Sequence, residues 1–185
     1  MSTGNDDDIK IYNKGSLSEI SDFERLIENI DFNSSNGNKE KAEKLGAFLA
    51  TLKPTDEALG IEIPKREMTA AVLYQSRVLI TFLCGWIVKN TVPDLFLSDT
   101  IRNSMHDFLK ENEYRYFCNI ADGAAFSFYR VALNKNGEPA EIIGKEFAKL
   151  CGASKNSEII SLGESIYSKT ADYAEALIKK CDFQY

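Results

Sequence analysis

Arg102 and His106 are the residues whose types and spacing best suit chemistry. They bracket the run Arg102-Asn103-Ser104-Met105-His106, four positions apart, so on a helix they share a face and could converge on one phosphate. Imidazole shuttles a proton near neutral pH, and guanidinium stabilises phosphoryl charge. The competing reading is structural, with a surface Arg and His flanking a buried Met105. A second constellation is polar residues set in apolar helical stretches: Gln75 and Arg77, then Asn119, Asp122 and Arg130. A charge forced into a core must be paired, and Arg77 with Asp122 is the expected pair. Tyr74, Arg77, Asp122 and Tyr129 could instead line a small pocket for an anionic ligand, because Arg forks onto carboxylate or phosphate. The third feature is Tyr114-Arg115-Tyr116-Phe117. Four consecutive large side chains cannot all face inward on one helix. Tyr114, Arg115 and Tyr116 are therefore candidates for an interaction surface.

The Arg102–His106 segment resembles the Arg-Asn-x-x-x-His motif of the HEPN helical ribonucleases, with one residue fewer between Asn and His. The resemblance covers five residues. It implies a ribonuclease in which Arg102 and His106 act on the RNA phosphate. Composition points the other way, because 22 Lys and Arg against 28 Asp and Glu give a net charge of −6. Nucleic-acid binding needs bases clustered on one face, so no nucleic-acid partner is expected. The strongest local imbalance is acidic. Glu19, Asp22, Glu24, Glu28 and Asp31 face a single base, Arg25, so Glu19, Glu24 and Glu28 are candidate contacts for a basic protein partner.

Other signatures are missing from the sequence. It carries no Gly-rich phosphate loop, no His-Glu-x-x-His and no nucleophile elbow. No metal and no cofactor is expected. The four cysteines, Cys84, Cys118, Cys151 and Cys181, are widely spaced in apolar stretches and read as buried free thiols. That usage suits a reducing cytoplasm. The first residues lack the basic and apolar regions of a signal peptide, so a cytoplasmic location is expected.

The elements that must position these residues read as helices. Residues 1–15 are expected to be a flexible N-terminal segment and residues 16–185 one helical domain, an all-α bundle of about seven helices. Its centre is the apolar segment 65–90, since a helix that is apolar all round is enclosed by other elements. A bilayer span needs about 20 consecutive apolar residues. Gln75, Ser76 and Arg77 interrupt the run and leave eleven residues, Val78 to Val88, so a core helix and no membrane is expected.

Ser16-Leu17-Ser18-Glu19 reads as a capping box opening a first helix with Leu17, Ile20, Phe23, Leu26, Ile27 and Ile30 on one face. Residues 33–38 read as a polar loop before a second helix, 39–53. Pro64 suits the first turn of the central helix. Ser98 or Asp99 is the expected start of a fourth helix, and 113–134 a continuous fifth. Pro139 opens a sixth, ending at Cys151-Gly152, and 156–181 is the last.

The resulting expectation is a non-catalytic binding or regulatory protein acting through protein contacts, as an adaptor, inhibitor or immunity-type protein does. Two alternatives stand beside it. One is a ribonuclease using Arg102 and His106, which a basic groove beside that pair would favour. The other is a helical protein binding a small anionic ligand.

Overall fold

The apolar central segment forms helix α3 (Ala70–Thr91), and over residues 78–84 its side chains are buried on every side. Val78, Leu79, Ile80, Leu83, Cys84 and Val88 are each at most 1% exposed. The computed structural model describes residues 16–185, excepting the side chains of residues 16–23 and of Asp122. The segment 1–15 and the capping box at Ser16 and Glu19 lie outside the described residues and side chains. The other helices are α1 (Ser16–Ser35), α2 (Asn38–Thr51), α4 (Leu95–Asn112), α5 (Tyr114–Asp122), α6 (Ala125–Leu133), α7 (Pro139–Leu150) and α8 (Ser157–Lys180); α2, α4, α6, α7 and α8 pack on α3, and α1 packs on α2 and α4. The fold is an all-α bundle, with eight α-helices and no strand among the described residues. Helix α3 is the one described helix long and apolar enough to cross a membrane. Of its most apolar stretch, 61% is buried inside the protein, which is how a core helix sits.

Four boundaries differ from the sequence expectation, each for a local reason. Helix α3 starts at Ala70, where the Thr69 hydroxyl accepts from the Val72 amide at 3.2 Å, and Pro64 precedes only a 3-10 turn, Lys65–Glu67. Helix α4 starts at Leu95 because Asp94 caps it, accepting from the Leu97 amide at 2.9 Å. Ser98 lies inside that helix and is buried. The expected helix 113–134 breaks at Gly123, whose backbone is extended (φ −82°, ψ 143°). A Cβ there would lie 2.8 Å from the Asn119 carbonyl oxygen. The expected loop 33–38 shrinks to Asn36-Gly37, with Gly37 left-handed at φ +80°.

That last stretch is polar because it is a buried hydrogen-bond network, not because it is a loop. Asn33 and Asn38 are 1% and 0% exposed. The Asn38 amide donates to Asn33 Oδ1 at 2.8 Å and to the Gln184 carbonyl at 2.6 Å, and Gln184 N–H donates back at 3.0 Å. Asn29 Nδ2 donates to Asp94 Oδ2 at 2.9 Å. The network ties the end of α1 to α2, to the cap of α4 and to the chain's last residues. Buried amides are tolerated because they are satisfied by one another.

Beyond this anchor α1 has little to lean on. Leu26, Ile27 and Phe32 are 49%, 42% and 47% exposed, so most of the described apolar stripe of the first helix is not in the core. Of the four cysteines, all free, only Cys84 is buried; Cys118, Cys151 and Cys181 are half-buried.

Two glycine contacts set the helix spacing. Gly144 of α7 and Gly163 of α8 face each other so closely that a Cβ on Gly163 would meet the Gly144 Cα at 2.9 Å. Gly46 brings α2 onto α4, where a Cβ would sit 2.2 Å from the Ile101 carbonyl oxygen and 2.8 Å from Ser104 Cβ. Helix α4 carries Arg102 and His106, so the Gly46 contact fixes the placement of that pair.

Candidate functional site

Three helices leave a groove between them. Helix α3 supplies Thr81, Phe82, Gly85, Trp86 and Lys89. Helix α4 supplies Arg102, Met105 and His106, and α6 with the residue after it supplies Phe126, Arg130 and Asn134. Steps of three and four along each helix put these side chains on facing stripes. The enclosed volume is about 350 Å³. Its floor is open at Gly85, where an added Cβ would meet nothing within 4 Å.

One wall is aromatic. Trp86 stacks on Phe82 (centroids 6.0 Å apart, planes 26° apart), and Phe126 meets Phe82 edge-on at 5.5 Å. The rest is cationic. Lys89, Arg102 and Arg130 line the groove with no carboxylate among the lining residues. Arg102 pairs with Asp99 one turn earlier at 3.1 Å. Lys89 and Arg130 make no ion pair among the described residues. His106 has one side open and the other against the Phe117 ring at 6.3 Å. That desolvation holds its pKa below the ordinary imidazole value; the Arg102 charge adds to the effect and Asp107 opposes it.

Arg102 and His106 are therefore brought into one basic groove. The other expected set is brought together only in part among the described side chains. Arg77 pairs with Glu113 at 2.5 Å, where Asp122 was expected, and it lies 4.1 Å above the Tyr116 ring. The Asp122 side chain lies outside the described ones. Tyr74 joins this cluster edge-on to Tyr116 at 6.1 Å. Tyr129 does not: it is fully buried against Phe82 at 5.4 Å, with no hydrogen-bond partner for its hydroxyl. Glu113 reaches Arg77 because it is the residue between α4 and α5, at the point where the chain turns beside α3.

The expected aromatic surface divides as well. Tyr114 is 65% exposed and Arg115 is exposed. Tyr116 is buried to 9%, its hydroxyl 2.9 Å from the Thr81 hydroxyl, and burial pushes its pKa up to about 12. Tyr116 is thus a packing residue and not part of a surface. Glu24 and Glu28 are exposed, while the Glu19 side chain lies outside the described ones. No group of three or more potential metal ligands occurs among the described residues.

Lys89, Trp86 and Gly85 escaped the sequence reading. A signal was present, since Gly inside a helix costs about 1 kcal/mol relative to Ala and often marks a close approach or an opening. No family model, no curated protein and no solved structure matches the chain.

Proposed function

We propose that this chain is a binding protein that holds an anionic, phosphate-bearing ligand in the groove between α3, α4 and α6. The observation that carries this reading is Lys89 and Arg130, which make no ion pair among the described residues, facing one cavity beside Arg102, whose partner is Asp99, in a chain whose net charge is −6. Like charges gathered against the overall balance repel one another unless an anion joins them. Arg77 offers no rival site, because Glu113 already neutralises it. Free thiols at all four cysteines fit a reducing cytoplasmic setting.

The test is calorimetric titration with pyrophosphate of the wild type and of a Lys89→Gln/Arg130→Gln double variant. Both side chains are exposed, so the fold should tolerate the change within about 0.5 kcal/mol. Losing two charge-assisted hydrogen bonds is expected to weaken binding by about 10- to 100-fold. No binding by the wild type, or equal binding by both proteins, would contradict the reading. RNA cleavage by Arg102 and His106 would use the same groove, and incubation with a ribo-oligonucleotide separates binding from turnover.

A second reading, protein contact through α1, is favoured by a different observation. Leu26 and Ile27 are exposed beside Glu24, Glu28 and Asp31, with Arg25 the single nearby base. An apolar stripe flanked by acids suits a basic partner with an apolar seat. Capture from native cytosol should yield a stoichiometric partner that a Glu24→Lys/Glu28→Lys variant loses. The same capture by both proteins would argue against this surface.

A further inference from the structure

We infer that the ligand of the groove is a nucleoside phosphate, its base on the Trp86 and Phe126 face and its phosphate between Lys89 and Arg130. This rests on the anion-binding reading above and narrows it to a ligand class. A bare inorganic anion would need only the cations. The groove adds a half-buried aromatic wall that no cationic site requires. Trp86 is held from behind by the stacked Phe82 ring, and the same ring backs Phe126. The wall is therefore fixed before any ligand arrives, which lowers the ordering cost of binding.

Bases stack on such faces whatever their identity, because every base has a π-face. The missing Cβ of Gly85 leaves room for a flat group beside the Trp86 ring. Asn134 offers both a donor and an acceptor to a base edge. The volume of about 350 Å³ sits at the low end of the roughly 300–1,000 Å³ of small-molecule pockets. That admits one nucleotide unit and little more. The unit could come from a free nucleotide or from the phosphorylated end of an oligonucleotide, and both present the same chemistry.

The chain holds one tryptophan, so its emission reports on this groove alone. Wild type would be titrated with pyrophosphate, ribose 5-phosphate, adenosine monophosphate and a 5′-phosphorylated tetra-adenylate, followed by Trp86 fluorescence and by calorimetry. The expected result is quenching by adenosine monophosphate and binding about tenfold or more tighter than ribose 5-phosphate, the low end of a stacking contribution. Trp86→Leu should erase that advantage, so that adenosine monophosphate falls to the affinity of ribose 5-phosphate, while pyrophosphate binding is weakened less than adenosine monophosphate binding. Gly85→Leu, which fills the open floor and leaves Trp86 in place, should weaken every ligand and so covers the case of a poorly folded Trp86 variant.

Equal affinity for adenosine monophosphate and ribose 5-phosphate would overturn the nucleoside assignment while leaving the anion site standing. No binding of any phosphate would overturn both. A tetra-adenylate at least tenfold tighter than the mononucleotide supports an oligonucleotide end as the source, and equal affinities support the free nucleotide.

Discussion

Gly46→Ala is expected to lower the melting temperature by about 4–8 °C, while the same change at Gly85 raises it by about 2–4 °C. Both glycines are inside helices, so each replacement gains roughly 1 kcal/mol of helix propensity. Their surroundings decide the sign. At Gly46 the new methyl would sit 2.2 Å from the Ile101 carbonyl oxygen, and backbone cannot swing aside as a flexible side chain can. Helix α2 must retreat from α4, at a cost at the upper end of the roughly 1–3 kcal/mol of overpacking or beyond it. The net loss is about 2 kcal/mol. At Gly85 the methyl meets nothing within 4 Å, so only the propensity gain remains. Thermal unfolding of the two variants beside wild type reads both effects, and equal shifts would refute the close α2–α4 contact. Because α4 carries Arg102 and His106, the Gly46 variant should also weaken ligand binding.

Glu113→Gln is expected to cost about 2 kcal/mol, less than the roughly 3–5 kcal/mol of a fully buried pair. The Glu113 side chain is 26% exposed and Arg77 16%, so water screens the pair in part. The change leaves the Arg77 charge against the Tyr116 ring without its carboxylate. Replacing both partners, Arg77→Met with Glu113→Gln, should recover much of the loss, since no buried charge is then left unpaired.

The pH dependence follows from the same contact. The hydrogen bond from Arg77 holds the Glu113 carboxyl below its ordinary pKa, burial opposes that, and the Arg77 charge supports it. A depressed folded pKa means the stabilisation is complete above the unfolded carboxylate value and is lost as pH falls through the folded one. Denaturant unfolding between about pH 7 and about pH 3 should show a steeper acid decline for wild type than for Glu113→Gln. Parallel declines would show that the pair contributes nothing to acid sensitivity.

The sequence carried the bundle in its apolar periodicity. The all-round apolar run at 78–88 marked a helix enclosed on all sides, and Pro139, Asn156 and Gly152 marked the helix ends close to where they fall. Capping was harder to read where several candidates stood together, as with Asp94 against Ser98 and Asp99, because each can accept from an amide two or three residues on. The Asn-rich link misled because Asn favours both turns and buried amide pairs, and only tertiary packing chooses between them.

The site was legible in part. Spacing alone placed Arg102 beside His106, but the third wall needed the break at Gly123 that orients α6 and Arg130. The sequence reading paired Arg77 with Asp122, whereas the partner in the structure is Glu113, at the turn between α4 and α5.

The most direct measurement is calorimetric titration of pyrophosphate into wild type and Gly85→Leu, with each protein's unfolding midpoint recorded. The groove account predicts binding by wild type and at least about tenfold weaker binding by the variant, with a midpoint equal to or above wild type. Equal affinity in the two proteins, or no binding by the wild type, would contradict it.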